Sequence, residues 1–105
     1  MPSAGRAFYK LDQHLRFQSA NEVALALWGK TTDQVIGRTL AEVFPQAVGS
    51  EPYEAHHSAL RSLAPYRGKA STPVLGMTIE LEIYPRENDL DVSFLVLPPG
   101  TRERP

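Results

Sequence analysis

The spacing of apolar residues predicts an α+β domain: a five-stranded antiparallel sheet with helices packed on one face, in the order ββααααβββ. Three observations carry this. Near the N-terminus apolar residues recur at every second position; in the middle third the spacing turns helical and is cut short by Gly29, Gly37 and Pro45; over Met77–Tyr84 strict alternation returns. A strand with one face on a core shows period two, whereas a helix lying on a sheet repeats near 3.6. Helices this short are marginal alone and must bury a face against the sheet.

The elements follow in order. Ala7–Leu11 places Ala7, Tyr9 and Leu11 on one face and Phe8 and Lys10 on the other. Leu15 and Phe17 alternate with Arg16 and Gln18, so Ala7–Leu11 and Leu15–Gln18 read as a hairpin joined by the polar loop Asp12-Gln13-His14. Ser19 or Asn21 caps a helix, with Glu22 at capping-box distance from Ser19. Val23, Leu27 and Trp28 share its apolar face and Gly29 stops it. Thr31 or Thr32 opens a short turn over Asp33–Ile36, Thr39–Phe44 is a further short helix ending at Pro45, and Gln46–Ser50 is a loop. From about Glu51 a longer helix runs to Ala64, with Pro52 in its first turn and Pro65 as its stop. Its expected apolar stripe is Tyr53, Leu60, Leu63 and Ala64, with His56 and His57 on the flanks. Tyr66–Val74 reads as an edge strand because of Gly68 and Pro73. Met77, Ile79, Leu81 and Ile83 mark the inner face of the next strand, and Pro85–Asp89 is a turn. Asp91–Leu97 is the last strand, with Val92, Phe94 and Val96 on one face, before Pro98-Pro99-Gly100.

Composition narrows the chemistry. A chain of 105 residues that is 42% hydrophobic and 22% charged is one ordinary globular domain. Eleven Lys and Arg against twelve Asp and Glu leave a net charge of −1, without the basic excess that a nucleic-acid partner requires. There is no cysteine, hence no disulfide, thiolate nucleophile, thiolate metal site or cysteinyl-linked chromophore. The N-terminal segment lacks the apolar stretch of a signal peptide, and no run of apolar residues is long enough to span a membrane. A cytoplasmic location is expected.

Candidate chemistry is sparse. Asp12 and His14 stand two apart in the hairpin loop, where Asp also serves to hold a turn. Glu80 and Glu82 share a strand face, but their alternation with apolar residues marks the solvent side, where Lys10 and Arg16 can pair across strands with acids. No nucleophile-elbow, phosphate-loop, zinc-protease or dinucleotide motif is present. The expectation is therefore a non-enzyme with no catalytic residue, a small α+β isomerase or hydrolase being the enzymatic alternative.

Ser19-Ala20-Asn21-Glu22-Val23-Ala24, Leu27-Trp28-Gly29 and Val35-Ile36-Gly37-Arg38-Thr39-Leu40 stand in an order that resembles the PAS sensor-domain family. Asn21, Gly29 and Ile36-Gly37 occupy places of that pattern, with Gln34 where Glu is common. Leu40–Pro45, Ser58-Ala59-Leu60 and Met77–Pro85 are similar to its later elements. The resemblance spans 7–97, leaving 1–6 as an N-terminal extension and 98–105 as a linker or tail. Two features depart from it: Leu97-Pro98-Pro99-Gly100 stands where Asp-Ile-Thr often closes the last strand, and Met77 or Thr78 lies near the place of a common Trp.

The resemblance implies a five-stranded PAS fold and a signalling module, binding a small ligand, dimerising, or both, and regulating an output such as a kinase, a cyclic-dinucleotide enzyme or a transcription regulator. The ligand pocket would lie between the long helix and the sheet, walled by Trp28, Phe44, Tyr53, His57, Leu60, Ile79, Leu81 and Phe94, residues that equally suit a filled core. His56 or His57 stands where an axial haem ligand projects in haem-binding members, although no basic run awaits the propionates. Noncovalent flavin is the other cofactor left open. Phe8, Leu95 and Leu97 on the outer face are candidates for a homodimer interface, and a ligand-free dimerisation domain is the alternative function.

Overall fold

The computed structural model describes residues 6–97; the expected tail over 98–105, and the expected N-terminal extension apart from Arg6, lie outside the described residues. The first alternating run forms β1 (Ala7–Asp12), with Ala7, Tyr9 and Leu11 buried. Its partner β2 (Phe17–Ala20) starts two residues later than the pattern predicts. Asp12 is the reason. Its Oδ1 accepts from the backbone N–H groups of His14 and Arg16 at 2.8 and 2.9 Å, which winds the chain into a turn that leaves Leu15 at φ 61°. Leu15 is nonetheless buried. Left-handed backbone costs a leucine roughly 1–2 kcal/mol, which burial of its side chain offsets.

Asn21, not Ser19, caps α1 (Glu22–Trp28); Ser19 belongs to β2. One asparagine side chain serves two elements here. Its Oδ1 accepts from Ala24 N at 3.0 Å and from Phe8 N at 3.1 Å, and its Nδ2 donates to Arg6 O at 3.1 Å. Val23, Leu25 and Trp28 pack toward the core around buried Ala24, whereas Leu27, expected on that face, is exposed. Gly29 closes the helix at φ 69°, a conformation in which a side chain would be strained.

Two one-turn helices follow, α2 (Thr32–Val35) and α3 (Leu40–Val43), each opened by a reciprocal capping box: Thr31 with Gln34, and Thr39 with Glu42. The expected loop after Pro45 contains a 3₁₀ turn, Pro45–Ala47. The long helix, α4, spans Glu51–Ser62, and Leu63 caps its C-terminus at φ 58° with its side chain exposed. The apolar stripe expected on α4 is thereby corrected. The buried positions are Pro52, Ala55, His56 and Ala59; Leu63 and Ala64 face solvent, and Tyr53 and Leu60 are half-buried at the flanks. Small residues on the inner face let the helix backbone lie close to the sheet, which a row of leucines would have prevented.

β3 (Tyr66–Thr72) stops two residues short of expectation, β4 (Met77–Pro85) starts where expected and runs one residue into the expected turn, and β5 (Asp89–Val96) begins within that turn and ends one residue early. The antiparallel sheet has the order β2-β1-β5-β4-β3. The helical segment carries the chain from the β2 edge to the opposite edge, and β4 and β5 return to the middle. Leu11, Phe17, Val35, Leu81, Ile83 and Leu90 form the fully buried centre. Pairs such as Tyr9 with Val92 and Leu81 with Phe94 put the inward faces of β1, β5 and β4 in register beneath α1 and α4.

Because the Asn21 side chain caps α1 at Ala24 and also bonds Phe8 of β1 and Arg6 just before it, Asn21→Ala is expected to cost about 1–3 kcal/mol of unfolding free energy. Urea denaturation checks this, and Asn21→Asp, which keeps the accepting oxygens but not the donor, should fall between wild type and Asn21→Ala.

Candidate functional site

Between α1 and α4, on the inner face of the sheet, the side chains leave a cavity of about 50 Å³. Its floor is Tyr9 of β1, Phe94 of β5, and Ile79 and Leu81 of β4; Trp28 closes one side, and Leu40, Phe44 and Ala47 roof it. The start of α4 contributes Ser50, Pro52, Tyr53 and His56, and the turn after β3 contributes Val74 and Leu75 beside Thr72. Of the eight wall residues expected from sequence, Trp28, Phe44, Tyr53, Ile79, Leu81 and Phe94 line this space. His57 and Leu60 do not: one helical step turns His57 away from the space, where its ring lies 4.8 Å from that of Tyr53 at a tilt of 58°.

Tyr9, His56, Ser50 and Thr72 are polar members that the sequence pattern did not single out for this wall. Tyr9 is the hub of the aromatic cluster, with ring centroids 5.3 Å from Trp28, 5.5 Å from Phe17 and 6.2 Å from Phe94. Its hydroxyl lies 2.6 Å from Nε2 of His56, and Nδ1 of His56 lies 2.6 Å from the carbonyl oxygen of Pro52. A carbonyl only accepts, so Nδ1 carries the hydrogen of the neutral ring, and Nε2 accepts the Tyr9 hydroxyl. Burial pushes His56 down to about 4, because charging the ring would require desolvating a cation; the bond to Pro52 O works in the opposite direction and the neighbouring His57 adds slightly to the depression. Burial likewise raises the Tyr9 hydroxyl well above its ordinary value.

These contacts bear on haem. An axial histidine needs a free ring nitrogen, and both nitrogens of His56 are engaged within the fold. His57 lies outside the cavity lining, and the cavity itself holds only a few atoms. The residues present do not fit a haem in this arrangement, and a flavin ring system likewise exceeds the space.

Several polar groups elsewhere make contacts within the fold. Asp12 holds its own turn and Arg16 donates to Gly37 O at 3.1 Å. Glu80 and Glu82 lie on the outer face with Arg6 at 3.3 and 3.9 Å, and Lys10 sits 3.7 Å from Asp91. That outer face forms an open trough of about 680 Å³ around exposed Phe8 and Tyr84. Leu95 and Leu97, grouped with Phe8 in the sequence reading, are half-buried.

Comparison with protein families finds a match to the PAS fold model over residues 3–69, more than half of the chain. Among solved structures, the PAS domain of Bordetella pertussis BvgS aligns with a TM-score of 0.70 at 19% identity, covering 90% of this chain and 79% of that one. The PAS domain of nitrogen regulation protein NR(II) from Vibrio parahaemolyticus aligns at 0.66 and 18% identity, over 88% and 89% of the two chains. A Cronobacter turicensis RpfR quorum-sensing receptor PAS domain, solved in complex with BDSF, aligns at 0.66 and 19%, over 93% and 99%. At these identities the likeness is one of fold. Comparison with curated proteins finds no match.

The titration of His56 sets a pH dependence. In the unfolded chain the ring titrates near 6.5 and in the fold at about 4, so between these values the unfolded state binds more protons. Stability from this group is fully present above pH 6.5 and declines as the pH falls toward 4, by about 3 kcal/mol in all. Urea midpoints measured from pH 7.5 to 4.5 should show this decline, and His56→Gln should flatten it.

Proposed function

Since the chain belongs to the PAS fold family, we propose that it is a sensory module whose inner cavity takes a small ligand and whose occupancy regulates an output domain, a kinase, a cyclic-dinucleotide enzyme or a transcription regulator. The observation that carries this reading is the partly open, largely apolar space between α1, α4 and the sheet, with a hydrogen-bonded Tyr9–His56 pair at its wall. The similarity to PAS domains of sensor kinases and of a quorum-sensing receptor supports it. Among the described residues no helix is long and apolar enough to cross a membrane, and a cytoplasmic module is the corresponding proposal.

The proposed mechanism is a shift between two packings. A ligand that favours one arrangement of α4 over the sheet changes the population by its differential affinity, and one that binds both equally changes nothing. Phe94 connects the cavity to the rest of β5, whose Leu95 and Val96 lead toward the expected linker.

Ala47 sits in the roof and is buried, so Ala47→Leu should fill the space with little change to the sheet. In NMR screening with small apolar fragments, the amides that respond should be those lining the cavity, and the response should vanish in Ala47→Leu. Fragments that move only outer-face amides, or that bind a folded Ala47→Leu chain unchanged, would refute the ligand reading.

The outer face supports a second reading, association into a homodimer. Phe8 is 53% exposed and Tyr84 41%, and both line the same trough, on either side of β5. Sedimentation should show a dimer that Phe8→Glu converts to monomer; a wild-type monomer at high concentration removes this reading.

A further inference from the structure

Resting on the reading of the inner cavity as a ligand site, we infer that it selects small uncharged hydroxyl compounds, with the Tyr9 oxygen accepting the ligand's hydrogen. The direction of the hydrogen bonds at the wall leads there. Pro52 O takes the Nδ1 hydrogen of His56, and Nε2 takes the hydroxyl hydrogen of Tyr9, both at 2.6 Å. The phenol has then spent its one donor and keeps only acceptor capacity. Both partners of the bond line the cavity.

A ligand that only accepts, such as a ketone, can be met by Tyr9 only if the phenol hydrogen turns away from His56. That strands the Nε2 lone pair in a buried place, at the cost of an unsatisfied acceptor. The hydroxyls of Ser50 and Thr72 stand on other elements of the same wall. Each oxygen accepts a backbone N–H, from Tyr53 at 3.4 Å and from Val74 at 3.3 Å, and each hydrogen remains available to donate. A ligand hydroxyl both donates and accepts, so it matches the two kinds of group at once.

Charge is excluded by the same inventory. No lysine or arginine is among the lining residues, and the neutral His56 offers no counter-charge. A carboxylate would lose its hydration without a cation to meet it. The size of the cavity limits the molecule to a few heavy atoms.

The test compares probes of one shape on the 105-residue chain. 2-Propanol, acetone and acetate are titrated at pH 7.5 while the amides of Phe94, Leu81 and Ala47 are followed by NMR, with xenon as a purely apolar filler of the same space. The expected result is that 2-propanol binds about tenfold more tightly than acetone, that acetate leaves these amides unmoved, and that Tyr9→Phe brings 2-propanol down to the level of acetone. If xenon moves these amides but 2-propanol and acetone agree within about twofold, the selection is wrong while the cavity reading stands. Acetate binding comparable to that of 2-propanol overturns it equally. If neither xenon nor any solvent moves the lining amides, the ligand reading itself fails. The wild-type ratio decides the matter even if Tyr9→Phe does not fold.

Discussion

The hydrogen bond between Tyr9 and His56 is the contact on which the inner face depends. It joins the floor of the sheet to the long helix across the space that the side chains leave between them. The bond is possible because α4 turns small residues inward; with Ala55 and Ala59 beneath it, the helix comes near enough for an imidazole to reach a phenol on β1. It also requires that the ring stay neutral, since Pro52 O fixes one nitrogen as donor and leaves the other as acceptor. One polar pair therefore sets the rotation of α4, the orientation of Tyr9 within the aromatic cluster and the polarity of the cavity wall.

A second constraint is local and lies in the connecting segment. α2 and α3 are single turns that could not persist alone, and each begins with a Thr whose partner three residues on closes a capping box. Backbone contacts then bind this segment to the edge of the sheet: Phe17 N donates to Arg38 O at 3.0 Å, and Gly37 N to Phe17 O at 2.9 Å. The start of the β2 edge is thereby paired and the roof residues Phe44 and Ala47 are held over the cavity.

What could be read in the sequence followed from what periodicity measures. β1, β4 and the helix stop at Gly29 are visible because alternation and capping chemistry are local. The inner face of α4 was not visible, because a search for large apolar residues passes over Pro52, Ala55 and Ala59 and favours Tyr53 and Leu60. His56 was weighed, with His57, as a haem ligand from its place on the long helix; its partner in the fold, Tyr9, lies 47 positions away and nothing local announces the contact. Six of the expected wall residues meet at the cavity; Leu60 and His57 lie outside its lining because Pro52, Ala55, His56 and Ala59 form the inner face of α4. Leu15 misled in a similar way: its burial is real, but Asp12 places it in a turn and not in a strand.

The strand order has a consequence for how the chain comes together in time. β5, the last of the five to be synthesised, occupies the centre of the sheet, between β1 and β4. Until it is made, the β1–β2 hairpin and the β3–β4 hairpin are two separate fragments, each with an open edge and an uncovered apolar face. Pairing β5 with β1 closes a loop of about 80 residues, so formation of the core is non-local and belongs to the slow end of folding for a domain of this size. The nascent chain is accordingly exposed to misassociation up to the moment Phe94 arrives, and the same residue that completes the cavity floor completes the fold.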